Sequence, residues 1–501
     1  MQCSQNCINN TCNHKGGACT LGCKDGNTGT FCEVTEDGHA RKAKESSEPT
    51  WATIGSGVAA GVLLLFILMG VWYRCRQKQY GEREPLLGAS TEDTWIPDKD
   101  HRGLHQGPVK DTPLHKAVID GNLDTVKQVM SEYEIDVNTR GLYGLTPLML
   151  AAVRGQNDVF EHLHKEGADM TLTDGDGDHI LSTACVGGNI DIVKYVVSKQ
   201  PELINRKRND GRTSLMWAAW HGRENIFGYL LGNGADHISM DNDRDNILHY
   251  ACNGGHPGIV EKILAEAEID IHSIDIYGRT AVMEAADQGH KQVFDILVGK
   301  GSSISHVDKD GNNVLHAACR GGHKEMVEYI LSQRGFNINR RGKDGATPLM
   351  IAARGGHRGV CDLLVGKGAD TSLLDNMENN ILHMASMEGH ESMVKHILSQ
   401  NFVDINSRGQ RGRTPLLWAA LRNQNEVIRL LVSQGADLLQ VDDGGNNVLH
   451  IACKTGNGKI AQYVLLKNEL DINAGNHCGE TASMIAKRTY QMELYELLMS
   501  Q

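Results

Sequence analysis

The sequence predicts an all-α repeat solenoid, preceded by one transmembrane helix and a small disulfide-rich module. Three observations predict it: short motifs return at one constant interval from residue 111 to the end, residues 51–73 carry no charge, and six of the 13 Cys fall between Cys3 and Cys32. The composition fits thin stacked layers of small side chains, with 56 Gly and only seven Phe among 501 residues. A length of this kind ordinarily implies about three compact cores. Collagen, a disordered polymer and a polytopic membrane protein are excluded, because Gly has no three-residue period, 40% of residues are apolar and a single stretch is long enough to span a bilayer. Residues 1–50 hold five Lys/Arg against six Asp/Glu and residues 74–110 seven against six, so the net charge of −12 belongs to residues 111–501. Such a surface is unsuited to phosphate backbones, and no nucleic-acid partner is expected.

The first element, residues 1–33, spaces Cys3, Cys7, Cys12, Cys19, Cys23 and Cys32 among glycines and almost no apolar residues. It cannot build a core, so three disulfides are the natural reading, with 15 pairings left open. A zinc site is the competing reading, and no clean C-x2-C pair supports it. The string CSQNCINNTCNHKGGACTLGCKDGNTGTFCE resembles one unit of the multiple-EGF or laminin-type EGF families. That resemblance implies an oxidising, extracytoplasmic setting, in which Asn9 of the triplet Asn9-Asn10-Thr11 is a glycosylation candidate.

A linker (34–50) leads to WATIGSGVAAGVLLLFILMGVWY (51–73), long enough to cross about 30 Å of hydrocarbon and bracketed by Trp51 and by Trp72 with Tyr73. Arg74, Arg76, Lys78 and Arg83 follow it more closely than Arg41, Lys42 and Lys44 precede it. The positive-inside rule therefore puts the N-terminus outside and the C-terminal part in the cytosol, with the plasma membrane as the expected location. Gly57 and Gly61 place small residues on one helix face and are candidates for homodimer contact, against the plain reading that glycine is common in such helices. Cys75 is a palmitoylation candidate or a free thiol. No cleavable signal precedes Cys3, so either the span acts as a reverse signal-anchor or the chain begins inside a longer ectodomain. Residues 74–110, with Pro and Gly scattered among polar residues, read as a juxtamembrane linker.

Then the repeat begins. Leu114-His115, Leu181-Ser182, Leu248-His249, Leu315-His316, Leu382-His383 and Leu449-His450 are evenly spaced along the chain. A second series at the same spacing runs through Thr146-Pro147, Thr213-Ser214, Thr280-Ala281, Thr347-Pro348, Thr414-Pro415 and Thr481-Ala482, and the two series interleave into twelve units of nearly equal length. In residues 346–379 two short apolar-periodic segments flank Gly-Gly-His and end at Gly-Ala-Asp before a polar turn. The expectation is helix, turn, helix, hairpin, with Thr347 capping, Pro348 in the first turn and Gly368 closing the second helix. One unit cannot bury its apolar face alone, so the units stack. TPLMIAARGGH (347–357) and VLHAACRGGHKEMVEYIL (314–331) resemble two dialects of the ankyrin repeat, with 111–144 and 480–501 departing from it as end caps.

Most residues that suggest chemistry fall into the period. Cys185, Cys252, Cys319 and Cys453 share a slot with Val118 and Ser386 and read as core fillers. His256, His290, His323, His357 and His390 occupy the position that the resemblance assigns to hydrogen bonds between turns. Asp174, Asp176 and Asp178 begin like a calcium loop, but Cys185 stands at its twelfth position, leaving a hairpin tip. There is no phosphate loop, metal-ligand pair or nucleophile elbow, so neither an enzyme nor a cofactor is expected.

Two periodic features point to binding instead. Hairpin tips alternate in sign: Arg206-Lys207-Arg208, Arg340-Arg341 and Arg408 with Arg411 against Asp174, Asp241-Asp243, Asp308-Asp310, Asp375 and Asp442-Asp443. Either neighbours tolerate one another in solvent, or they form a charge-striped groove that reads a partner. Asn138, Asn205, Asn339, Asn406 and Asn473 close alternate units, where the ankyrin resemblance implies hydroxylation and the plain reading is a turn Asn satisfying its own backbone. Together these imply a membrane-tethered adaptor or receptor-like protein that holds cytosolic proteins on a concave face and hairpin fingers. The alternatives are a non-catalytic subunit of a channel or enzyme complex, and a join between a truncated EGF-repeat receptor and an unrelated ankyrin array.

Overall fold

The computed structural model describes residues 111–500 apart from 267, 268 and 334. Cys3, Cys7, Cys12, Cys19, Cys23, Cys32, Asn9, Gly57, Gly61 and Cys75 lie outside the described residues. Within these, twenty-four α-helices follow in twelve pairs, from Pro113–Asp120 with Leu123–Glu132 to Ala482–Arg488 with Met492–Met499. Each pair is one of the predicted units, numbered here as repeats 1 to 12. No helix among the described residues is long and apolar enough to cross a membrane.

Local chemistry starts and stops these helices. In even repeats other than repeat 6 a Thr hydroxyl accepts the N–H three residues on, as Thr347 does from Met350 at 3.3 Å, and Pro348 pre-sets the first turn. In repeats 5, 7, 9 and 11 the cap is Asn: Asn246, Asn313, Asn380 and Asn447 each accept two backbone N–H groups. Gly255 and Gly322 end the first helix in the left-handed conformation, at φ 75° and 80°. First helices are buried nearly all round, so they form the central layer. Second helices are amphipathic: on Lys324–Ser332, Met326, Val327 and Ile330 are buried while Glu325 and Glu328 face water. Phe160, Phe227 and Phe294, equivalent positions of every second repeat, fill the space between the two layers at 0–1% exposure. The first helices pack so closely that a Cβ on Gly254 or Gly321 would collide with the carbonyl oxygen of Trp220 or Asp287 in the preceding repeat.

Polar bridges cross the junctions, and they are unequal. His256, His290, His357 and His390 bond through Nε2 to main-chain carbonyls of the repeat before, at 2.8–3.1 Å. Odd-to-even junctions gain two more. The rings of His249, His316, His383 and His450 sit with Nδ1 2.6–2.8 Å from the cap Asn and donate from Nε2 to the carbonyls of Arg279, Arg340, Arg413 and Glu480. Asn138, Asn205, Asn339 and Asn406 accept the N–H of Asp169, Asp236, Asp370 and Asp437, at 2.8–2.9 Å. Repeat 3 exchanges the two residue types: His179 takes the cap position and Ser182 the ladder position, yet His179 still reaches the Arg206 carbonyl at 3.3 Å.

Candidate protein-binding face

The hairpin fingers are built from inside. Asp174, Asp241, Asp275, Asp308, Asp375 and Asp442 each accept two backbone N–H groups, from the residues two and four positions on, at 2.7–2.9 Å. These acids, all but Asp275 expected as solvent-facing tips, brace their own turns instead. Asp241 is occupied on both oxygens, the second by the Tyr250 hydroxyl at 2.6 Å. Asp243 accepts the Ile276 N–H with its main-chain oxygen, linking its finger to the next.

The basic fingertips divide. Arg208 is a correction to the sequence reading: only 7% exposed, it pairs with Asp178 at 2.9 Å, Asp210 at 3.4 Å and Asp176 at 3.7 Å. The other six predicted positions, Arg206, Lys207, Arg340, Arg341, Arg408 and Arg411, are exposed. Lys207 donates to the Met240 carbonyl at 2.9 Å, and Arg408 bonds the Val441 carbonyl at 2.9 Å and Asp443 at 3.2 Å. Arg341 donates to Gly345 at 3.3 Å, and Lys343 pairs with Asp310 at 2.9 Å. Alternation of sign therefore links neighbouring fingers as well as avoiding repulsion.

The turn asparagines also differ from the plain reading. Asn138, Asn205, Asn339 and Asn406 satisfy the next repeat's backbone rather than their own. Asn473 is exposed in the last hairpin, with its N–H on Asp471 at 2.9 Å. The cysteine slot holds as a core position: Cys185, Cys252, Cys319 and Cys453 are buried, and burial pushes the Cys453 thiol up to about 12, away from nucleophilic use.

What the sequence reading missed lies on the first helices, on the face beside the fingers. Trp217 and Trp220 stack with centroids 5.3 Å apart and planes at 14°, and His221 lies parallel to Trp217 at 5.7 Å. Trp220 packs on Tyr250 of repeat 5 at 6.0 Å. The Arg212 guanidinium sits 5.5–5.7 Å from the Trp217, Trp220 and Tyr250 rings and donates to the Tyr250 hydroxyl at 2.9 Å. Burial holds His221 down at about 4, so its ring is neutral at pH 7. The signal is Gly-Arg-Thr, at 211–213, 278–280 and 412–414, with a functional residue five positions after each Arg. In repeat 10 it gives Arg413 over Trp418 at 4.9 Å.

In repeat 6 the same pattern gives ions. Arg279 pairs with Glu284 at 2.8 Å and Asp287 at 3.4 Å, and Arg320 of repeat 7 reaches Asp287 at 2.9 Å. Asn253 of repeat 5 donates to Glu284 at 3.2 Å, so the row from Trp220 to Arg320 is continuous. Asp245, Asp275 and Glu284 bring carboxylate oxygens within 4.8 Å of one another. The Arg279 guanidinium supplies the positive charge there. Burial opposes that charge, but the surrounding carboxylates outweigh it and keep Arg279 protonated.

The model for "Ankyrin repeats (3 copies)" matches residues 93–174, 148–241, 237–308, 283–375 and 382–476. Relatives include the human transient receptor potential cation channel subfamily A member 1, 27% identical over 421 residues, 74% of this chain and 34% of that protein. They also include the E3 ubiquitin-protein ligase KEG of Arabidopsis thaliana, 24% identical over 76% of this chain and 23% of that protein. The palmitoyltransferase AKR1 of Lachancea kluyveri is 29% identical over 30% of this chain and 21% of that protein. The chain thus spans no more than about a third of these proteins' lengths. Among solved structures, the human ASB11 ankyrin repeat domain is similar at 25% identity and TM-score 0.39, covering 44% of this chain and 98% of that one. With the family model covering most of the sequence, and twelve capped helix pairs joined by hairpin fingers beneath it, the chain belongs to the ankyrin-repeat family.

Proposed function

We propose that the chain is a membrane-tethered adaptor or receptor-like protein whose ankyrin array binds cytosolic proteins along its first-helix face and fingers. The observation that carries this reading is the aromatic and ionic row from Trp217 to Arg320, where positions that vary between repeats carry aromatic and charged side chains over four consecutive repeats. Large aromatic and arginine groups on a rigid surface are the usual anchors of protein interfaces. The tether rests on the uncharged stretch 51–73 and the basic residues after it, and the outward orientation on Cys3 to Cys32. Homodimer contact through Gly57 and Gly61, glycosylation of Asn9 and palmitoylation of Cys75 belong to the same proposal, as does hydroxylation of the turn asparagines. Proximity labelling from the C-terminus in intact cells, with protease protection, tests it. Labelling of cytosolic proteins from a protected C-terminus is expected, and a C-terminus digested from outside refutes the orientation.

A second reading is a non-catalytic part of a larger channel or enzyme assembly. It is favoured by relatives that name a cation channel, a palmitoyltransferase and a ubiquitin ligase, each matched over a minor share of its length. Co-purification with one stoichiometric membrane-embedded or catalytic partner supports it. A chain that purifies alone refutes it.

A further inference from the structure

The row on the first-helix face continues past Arg320, and its charge changes. The positions of Trp220, Asn253, Asp287 and Arg320 recur four repeats later as Arg354, Met387, Leu421 and Lys454, and Arg488 follows in repeat 12. Arginines at both ends of this strip are answered within the chain: Arg320 pairs with Asp287 and Arg488 with Glu480, each at 2.9 Å. The two cations between them are not. Among the described residues neither Arg354 nor Lys454 forms an ion pair, and Arg354 donates to the neutral Met384 sulfur at 3.0 Å. The reason is substitution at the slots of Glu284 and Asp287, which hold Trp418 and Leu421 in repeat 10. Arg413, in the slot of Arg279, turns to Asp442 at 3.6 Å and lies over the Trp418 ring. Glu388 is the one carboxylate on the first helices of repeats 8–11. Lys454 is exposed, and Arg354, Met387 and Leu421 are half-buried, so the strip is open to solvent.

We propose that the strip from Arg354 to Lys454 takes an acidic segment of a partner protein, with one carboxylate on Arg354, a second on Lys454, and apolar side chains between them on Met387 and Leu421. This rests on the protein-binding reading above and names its partner class. What the strip lacks identifies its occupant: in the equivalent row of repeats 4–7 the chain itself supplies Glu284 and Asp287 beside its cations, and here a partner supplies the carboxylates. Packed helices lie about 10 Å apart, so Arg354 and Lys454, three repeats apart, are separated by roughly 30 Å. A polyproline II segment has three residues per turn and rises about 3.1 Å per residue, so it presents one side chain to each repeat, every 9 Å or so. Acidic residues about nine positions apart, with apolar ones three and six positions after the first, therefore match the strip.

The test uses the full chain and three fluorescein-labelled peptides of fourteen residues. All carry Leu at positions 6 and 9 of a Pro/Ser background, and they differ in having Glu, Gln or Arg at positions 3 and 12. Fluorescence anisotropy at low and high salt is expected to rank Glu about tenfold above Gln, with Arg weakest and the Glu advantage shrinking as salt rises. Arg354→Gln and Lys454→Gln should each weaken the Glu peptide about threefold, and Glu388→Gln should tighten it. Lys324→Gln, on an exposed side chain of the second helix of repeat 7, should change it by less than about 1.5-fold. Lys454→Glu separates charge reading from loss of the fold: it should weaken the Glu peptide and strengthen one that carries Glu at position 3 and Lys at position 12. Equal binding of the Glu and Gln peptides, preference for Arg, no binding at all, no effect of either Arg354→Gln or Lys454→Gln, or tighter binding of a fourteen-nucleotide thymidine oligomer overturns the proposal. Recovery of cytosolic partners by proximity labelling judges the broader reading independently.

Discussion

Replacing Arg208 by Met separates a structural role from a partner-reading one. The guanidinium is buried, with Asp178, Asp210 and Asp176 at 2.9, 3.4 and 3.7 Å. Met keeps much of the side-chain volume and removes the charge, and breaking a buried pair this way costs about 3–5 kcal/mol when the remaining carboxylate stays ionised. Protonation caps that cost. Burial pushes Asp178 up to about 6, with Arg208 pulling the other way. A carboxyl raised above its unfolded value contributes its full stability at pH below about 4 and loses it as pH rises through its folded value. Without Arg208 the folded value climbs further, so the penalty is small at pH 5, where Asp178 holds its proton in either protein. Above pH 6 the penalty grows by up to about 1.4 kcal/mol per unit, toward about 3 kcal/mol at pH 8. Lys207→Gln, on an exposed side chain, should stay within about 0.5 kcal/mol at both pH values. Hydrogen exchange of the amides from 178 to 183 and from 208 to 213 reads the local stability, because a repeat array opens locally. A penalty for Arg208→Met that is equal at pH 5 and pH 8, or no larger than that of Lys207→Gln, refutes the reasoning.

Burial holds His316 and His383 down at about 4, so their share of stability is full above about pH 6.5 and lost as pH falls toward 4. About 3 kcal/mol per ring is at stake. Circular dichroism of urea unfolding should show the midpoint dropping steeply across that window, less so in a His383→Gln variant. Gly321→Ala should destabilise the array by at least about 2 kcal/mol despite its better helix propensity, since the new methyl meets the Asp287 carbonyl oxygen. A neutral or raised midpoint in the same urea titration contradicts that packing. Phe227→Ala, which empties a fully buried site, should cost about 3–5 kcal/mol and expose repeats 3–5 first to limited proteolysis. Asn205→Ala removes the acceptor for the Asp236 N–H and should cost about 1–2 kcal/mol, seen as faster exchange of that amide.

How far the fold was legible depended on which residues the period exposes. Thr347, Pro348 and Gly368 marked the helix ends because capping and left-handed closure are local chemistry that a single unit displays. The cysteine slot and the Gly-Gly-His histidines were legible for the same reason, each being defined by its place in the beat. Finger residues were harder to read. Asp241 and Arg208 are charged residues at turn tips, which sequence reads as solvent-facing, yet one braces its own backbone and the other lies beneath Asp178. Orientation at a tip depends on the neighbouring finger, a whole repeat away along the chain, and no local pattern encodes it. The Trp217–Trp220–Tyr250 platform escaped notice because period-seeking discards residues that break the period. Its trace was the recurrence of Gly-Arg-Thr at 211, 278 and 412.

The unequal junctions have a consequence for how the array is joined. Odd-to-even contacts carry the cap-Asn/His bridge and the turn-Asn bridge in addition to packing, whereas even-to-odd contacts among the described residues lack both series. Even-to-odd junctions are instead where the first helices approach most closely, with Gly254 and Gly321 lying against the carbonyl oxygens of Trp220 and Asp287. Two means of joining therefore alternate along the array, side-chain bridges at one junction and close backbone approach of the first helices at the next, and the row from Trp217 to Arg320 spans both kinds.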